Sequence, residues 1–531
     1  MLRDLDALTS RRFDMLVVGG GIHGLMAAWD AATRGLQVAL IERHDFTSGA
    51  SFHHHRTLHG GLRYLQSGDL ARLRESVRER RTWAHIAPQF IAPQPFAIPA
   101  GGDRGKSALL LRAGFAVDAL FGWDRNYGLA HQLHLPPGRL LPSHERDSLD
   151  TGSLLPPGDL ALWHDYRTEH AERLTFAVAI AAVNAGVVLA NYVDAIEPIR
   201  DGRVVSGIIA RDTVDGGPLQ IAARVTLNAT GASAGRLMAA FGVRPPLPLV
   251  KAMNLVTTRQ APPVACGAPS AAGRLLFALP WQGRLSIGTW HGSDQCGADA
   301  SLVTAEELDA FLGDIDQAFP DLRIGRDEIA LVQRGVVPAV ITRGRLELAD
   351  RPVVREHRQD GIDGALTLVG VKYTTARAVA ERAVTLAMAQ LGHHAQPLTA
   401  SLPLPGALPV QSKSPVAEEI DSAAWAHLQR LYGQRAGDVA AIARGRSDLA
   451  GRLLPSLPII GAQVMEAVRN EMALTLEDVV LRRTGLGSAG YPGDAAVLRV
   501  EGIMRDELGW TSARAADEVQ KLKEFYLPVK V

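Results

Sequence analysis

Residues 13–43, FDMLVVGGGIHGLMAAWDAATRGLQVALIER, limit the fold of this chain more than any other stretch. Residues 14–18 form an apolar, β-rich run that reads as a buried strand. Gly19, Gly21 and Gly24 follow in G-x-G-x-x-G spacing. Residues 25–34 are rich in alanine and other helix formers, and Gly35 is a natural stop. LQVALIE is the next strand and ends in Glu42. Together these make one βαβ unit of about thirty residues. The glycines let the backbone turn tightly and approach a pyrophosphate, which meets the free N–H groups at the positive end of the helix. Glu42 stands where a carboxylate accepts hydrogen bonds from ribose hydroxyls, and its charge disfavours a 2′-phosphate. The competing reading is a glycine-rich turn of an unrelated α/β domain. Strand before, helix after and acid at the second strand's end argue against it.

A chain of 531 residues is too long for one ordinary core, so two or more domains are expected. A formal net charge of zero argues against a dedicated nucleic-acid binder. Cys266 and Cys296 cannot build a disulfide framework and offer no CxxC spacing for zinc or iron–sulfur, which points to a reduced setting. The opening MLRDLDALTSRRFDMLVVGGG does not read as a signal peptide, because its apolar run is short and ends in glycines. No window approaches the ~18 apolar residues of a spanning helix. The expectation is a soluble, cytoplasmic protein, with contact at a membrane surface left open.

Beyond residue 66 the pattern turns to charged helical stretches such as LARLRESVRERRTWAHIA, whose basic face suits either solvent or anionic lipid. Helix–strand alternation returns at 170–200, strand-like pieces at 247–290, and LTLVGVKYTTARAVAERAVTLAMAQL at 366–391 gives another strand, glycine turn and helix. Residues 396–419 are proline-rich without periodicity and read as a linker. From 420 onward the pattern is helical. The expected organisation is an α/β fold with a Rossmann-like domain at 1–75, 150–245 and 345–395. An interleaved α+β substrate or cap domain takes 76–149 and 246–344, and an all-helical domain takes 420–531.

Two distant segments decide the kind of dinucleotide. LNATGASAG (227–235) puts a strand into Ala229-Thr230-Gly231, and the late unit turns at Gly370. An NAD domain needs neither. The layout resembles flavoproteins of the two-dinucleotide-binding type. In these the first segment, with Val193, approaches the adenine end, and the late helix points its positive N-terminus at the flavin ring.

The resemblance then narrows. The glycine loop, LHGGLRYLQSGDLARLRESVRERR, AERLTFAVAIAAVNAG, VTLNATGASAG, GVKYTTARAVAERAV, RLYGQRAGDV and NEMALTLEDVVLRRTGLG resemble the FAD-dependent glycerol-3-phosphate dehydrogenase family nearly end to end. It implies FAD and hydride transfer from a secondary alcohol, most simply glycerol 3-phosphate giving dihydroxyacetone phosphate. The electron acceptor is then a quinone or oxygen. A homodimer and a peripheral place on the inner face of the cytoplasmic membrane stay open. Arg63 and Tyr64, with Lys372 and Thr374, match the family's substrate contacts, and Lys372 also lies on the flavin loop. The pocket departs elsewhere. Val337 stands where GVRPL has arginine, Asn254 where KGSH has histidine, and Trp290 and His291 where GTTD has Thr and Asp. SSASSK has become SFHHHR. Two further readings therefore stay open: a diverged flavin dehydrogenase or oxidase acting on another alcohol or amine in a biosynthetic pathway, and an FAD-binding protein without turnover.

The segment SFHHHRTLHGG (51–61) carries four histidines within seven residues. Consecutive side chains on an extended chain point to alternating sides, so no metal site is expected. Solvation of one or two rings is the plain alternative. The resemblance lays this segment along the flavin. Ser51 then meets the pyrophosphate or ribityl chain, and either His54 bonds the flavin covalently, as a histidine before a Gly-Gly pair does in other flavoproteins, or His54 or His55 points into the pocket and hydrogen-bonds substrate. His59 and His291 are the candidate bases.

Overall fold

The computed structural model describes residues 1–101, 107–245, 247–408 and 420–529. Its first layer is an eight-stranded sheet. Arg12–Val18 runs parallel to Val38–Ile41 on one side and to Pro218–Asn228 on the other, and Ala365–Val369 continues the parallel set. A parallel sheet must be covered on both faces. The helices Ile22–Thr33, Ala171–Asn184 and Ala376–Leu391 cover one face. The hairpin Val193–Asp201/Val204–Asp212 and the helix Ala234–Phe241 cover the other. Every residue from Gly24 to Ala31 is buried, which explains why that helix reads as apolar on all sides.

The second layer is a ten-stranded sheet. The long antiparallel pair Leu249–Thr257/Ile329–Thr342 and the strands Leu275–Trp281 and Arg284–His291 form its cavity-side half. This sheet also takes Thr57–Leu58 and Leu160–Thr168, two pieces the sequence pattern assigned to the first domain. The apolar run LALW that opens residues 160–168 suits a strand but does not say which sheet it joins.

The proline-rich stretch lies partly outside the described residues. Its described part packs against the first layer: Leu404 is buried, its N–H donates to the Ile86 carbonyl at 2.8 Å, and Thr399 donates to Asp30 at 2.9 Å.

From Ser422 to Phe525 the chain is helical, and it packs on both layers. Its six-residue π-helix Asp478–Arg483 is buried throughout. There Arg482 donates to Asp45 at 2.6 Å and to Asp478 at 2.6 Å. Arg483 holds both oxygens of Asp45 at 2.7 Å. Asp45 follows the second strand of the glycine-loop unit, so RRTGLG joins the helical region to the dinucleotide layer. Arg173 and Glu471 make a second buried bridge, both bonds at 2.6 Å.

Candidate functional site

A cavity of about 1320 Å³ runs between the two sheets and beneath the helical region. Drug-sized ligands usually occupy about 300–1,000 Å³, so this space holds a dinucleotide and more. Glu42, Val193 and Ala229 line one end, Gly19, Gly21 and Ser51 the middle, and Gly370 to Tyr373 the other end.

The glycine loop is built for close approach. A Cβ on Gly24 would lie 1.9 Å from the Gly19 carbonyl oxygen, so only glycine lets the helix start against the loop. The Ile22 N–H donates to the Ser51 hydroxyl at 2.9 Å, which leaves the hydroxyl proton free for an anionic oxygen. Glu42 accepts the Gly20 N–H at 2.6 Å and the His44 N–H at 2.9 Å. These bonds fix its carboxylate at the ribose end, and each oxygen keeps a lone pair. Several buried polar atoms on residues that line this space have no partner among the described residues: His23 Nε2, Thr47 Oγ1, His54 Nε2 and His55 Nε2. Burial holds the His23 ring neutral at a pKa of about 4, and the ring lies against Gly370. Cradle, ribose carboxylate and unpartnered atoms together fit an adenine dinucleotide whose far end reaches the late loop. Glu42→Arg is expected to leave the purified protein with little bound dinucleotide, read as the 450 nm absorbance per chain.

The late loop carries the cations. Lys372 touches the Tyr64 hydroxyl and lies over its ring at 4.0 Å. Arg72 stands over the same ring at 4.6 Å and Arg63 at 5.6 Å. Arg72 is paired with Asp69 and Asp350, whereas Arg63 has no carboxylate within reach among the described residues. Burial, then the charges of Arg63 and Arg72, pushes the Lys372 ammonium down to about 7. Three cations around one phenol make a site that an anion stabilises.

The opposite wall carries Arg334, whose guanidinium is turned to backbone carbonyls of the helical region. Met253 pairs with Trp290 and Leu255 with Ile287, so the register shifts and Gly288 and Thr289 both face Asn254. A Cβ on Gly288 would sit 2.0 Å from Asn254 Oδ1. The Asn254 amide is pinned, donating to the His53 carbonyl at 3.0 Å and accepting the Thr289 hydroxyl at 2.7 Å. Val337 lines the same wall. The shift sends Trp290 back into a separate core with Phe311, so it does not fill the cavity.

Some expected residues stand elsewhere. His291 lies outside the cavity wall, with Nδ1 3.3 Å from the Gly292 carbonyl, because the strand leaves the cavity after Thr289. His59 is 55% exposed and faces Asp165 at 3.5 Å, also outside the wall. Thr374 is buried and holds the loop: its hydroxyl accepts the His59 N–H at 3.0 Å and its carbonyl the Trp83 indole at 2.9 Å. His54 lines the wall with its ring stacked on Tyr373, centroids 4.4 Å apart, and its Nε2 is buried without a partner. Sequence reasoning missed His23, Thr47 and Thr289. The first lies inside the fingerprint itself; the other two carry no spacing signal.

A parallel sheet whose two glycine loops and ribose carboxylate open on one cavity defines a dinucleotide-dependent oxidoreductase of the flavin type. The family model described as FAD dependent oxidoreductase matches residues 14–387, and that of the C-terminal domain of alpha-glycerophosphate oxidase matches 397–515. Glycerol-3-phosphate dehydrogenase of Synechocystis is 30% identical, covering 99% of this chain and 98% of its own. The mitochondrial enzyme of Rattus norvegicus is 28% identical over 97% of this chain and 73% of its own. The solved glycerol-3-phosphate dehydrogenase from Bacillus halodurans, complexed with FAD, superposes with a TM-score of 0.73. At 23% identity over 99% of this chain and 96% of its own, it speaks for the fold. The chain belongs to the FAD-dependent glycerol-3-phosphate dehydrogenase family.

Proposed function

We propose that the protein oxidises glycerol 3-phosphate to dihydroxyacetone phosphate. The observation that carries this reading is the cation corner of Lys372, Tyr64 and Arg63: Lys372 lines the cavity, and Tyr64 and Arg63 stand against it outside the wall. When bound, FAD supplies the acceptor for the hydride leaving the secondary carbon. Lys372 and Arg63 hold the phosphate. The pinned Asn254 amide and Val337 wall off the carbon chain, and Ser51, Glu42 and the glycine loop orient the dinucleotide. Arg334 does not replace the arginine missing at Val337, because its guanidinium donates to the Leu527 carbonyl at 3.1 Å and the Phe525 carbonyl at 3.3 Å. Anaerobic glycerol 3-phosphate is expected to bleach the flavin. A flavin that stays yellow with it, but bleaches with another alcohol or amine of a panel, moves the substrate to the second reading, which Val337 and Asn254 in the wall favour.

Electrons then leave to a quinone or to oxygen. A membrane-held acceptor is supported by the helix Ala108–Phe121 and the turn after it, which expose Leu109, Leu110, Leu120, Trp123 and Tyr127 beside the exposed Arg112. Leu109 is 77% and Trp123 78% exposed. An apolar, cation-flanked helix face of this kind suits the interfacial zone of a bilayer. The basic helix Leu70–Ile86 is less suited, since its Arg74 and Arg81 are both tied to Asp124. No helix among the described residues is long and apolar enough to cross a membrane. Leu109→Asp with Leu110→Asp is expected to abolish flotation with anionic vesicles while leaving the flavin spectrum unchanged.

A further inference from the structure

A secondary alcohol brings a hydroxyl oxygen with lone pairs to the cavity, so it can accept a hydrogen bond. The same carbon skeleton carrying an amine brings an ammonium at neutral pH, with N–H donors and no acceptor. A wall group that can only donate tells the two apart, and the histidine segment supplies one.

His53 docks onto the substrate wall at two points. Its carbonyl accepts the Asn254 amide N–H at 3.0 Å, and its Nδ1 accepts the Arg334 backbone N–H at 3.1 Å. Both partners stand on the antiparallel pair Leu249–Thr257/Ile329–Thr342, where Met253 faces Arg334 and Asn254 faces Gln333. A backbone N–H only donates, so Nδ1 holds the lone pair and the ring proton sits on Nε2. Burial, then the charges of Arg334 and Arg56, holds the ring neutral at a pKa of about 3, so Nδ1 stays an acceptor. Phe52 and Phe525 flank the ring, with centroids 5.0 and 6.1 Å away. Nε2 meets no acceptor among the described residues, yet it is not closed off from water as the Nε2 atoms of His54 and His55 are. His53 lines the cavity, and an open nitrogen on a ring so enclosed opens into it.

We propose that the Nε2–H of His53 selects an alcohol over an amine, by donating to the substrate's hydroxyl oxygen and opposing the N–H groups of an ammonium. The main chain sets the direction: the ring cannot present a lone pair to the cavity without losing its bond from Arg334. His54 and His55 do not share the task, because their Nε2 atoms are sealed. His53 is thereby a specificity-determining residue that no spacing rule singles out.

The inference rests on the alcohol oxidation proposed above, and its test separates the two. The probes are glycerol 3-phosphate and serinol phosphate, which has an ammonium in place of the secondary hydroxyl. Affinity is read as the Kd from anaerobic flavin reduction for the first and as the inhibition constant for the second. Wild-type holoenzyme is expected to bind glycerol 3-phosphate about 10- to 100-fold tighter. His53→Ala should narrow that ratio about 3- to 10-fold, and His53→Glu, which puts an acceptor there, should narrow it further. A merely structural role would weaken both ligands alike and leave the ratio unchanged. In histidine-labelled wild type, ¹⁵N NMR should show His53 as the Nε2–H tautomer, assigned through its loss in His53→Ala, and the signal should shift with dihydroxyacetone phosphate. The proposal is overturned by a proton on Nδ1, by equal wild-type affinity for the two probes, or by a ratio unchanged in both variants. If glycerol 3-phosphate does not reduce wild type, the substrate reading fails instead. His53 is then judged on its tautomer and on the panel alcohol that does bleach the flavin, set against its amine counterpart.

Discussion

Asp45→Ala is expected to destabilise the protein by about 3–5 kcal/mol, because it leaves two buried guanidinium groups without their shared carboxylate. Arg482 and Arg483 have side chains only 5% and 0% exposed, and Asp45 is their common acceptor. Against a usual total of about 5–15 kcal/mol, that is about a fifth of the stability or more. The denaturation midpoint in urea checks it, and a shift under 1 kcal/mol would show that the network is incidental. The two arginines, outweighing the cost of burial, hold the Asp45 carboxyl at about 2, below its ordinary 3.8. A depressed carboxylate stabilises the fold fully above its unfolded pKa and loses that contribution as pH falls. The loss, roughly 2 kcal/mol, therefore falls between about pH 4 and pH 2. It should be absent in the variant.

The second large effect lies at Lys372. Lys372→Met removes the buried cation of the phosphate corner and should lower kcat/KM for glycerol 3-phosphate by about 2–5 kcal/mol, roughly 30- to 5,000-fold. A pH signature goes with it. A dianionic phosphate favours the ammonium, so binding raises the Lys372 pKa from its free value of about 7. Below that pH the charge is already present. Above it the protein must take up a proton to bind, and affinity falls by up to tenfold per unit. Phosphate monoesters reach the dianion above about pH 6. Tightest binding is thus expected between about pH 6 and 7, with the alkaline limb missing in Lys372→Met. A wild-type Kd flat from pH 7 to 9 would remove Lys372 from the site.

The dinucleotide end was legible in the sequence because backbone geometry dictates residue type there. Gly24 cannot be anything larger, and Glu42 must end its strand, so a local pattern reports both. The late loop was legible for the same reason, and Lys372 and Tyr64, 308 positions apart, do meet. The substrate wall was not. Whether residue 289, 290 or 291 faces the cavity is set by a one-residue register shift against Asn254, and period-two reasoning has no access to such a shift. His291 was misplaced by that shift. His59 was misplaced by the turn that aims its ring at Asp165, while the tautomer of His53 depends on an amide partner hundreds of residues away.

The bridge between Asp45 and Arg483 spans 438 positions, and the cavity between them borrows wall from Leu474, Trp510 and Phe525. During synthesis the amino-terminal layers emerge first and can pack early. Their dinucleotide cleft stays open on one side until the helix Ser512–Phe525 has emerged. A chain broken off before residue 482 then has a glycine loop able to meet FAD but lacks the wall from Trp510 and Phe525, so such fragments should be released colourless.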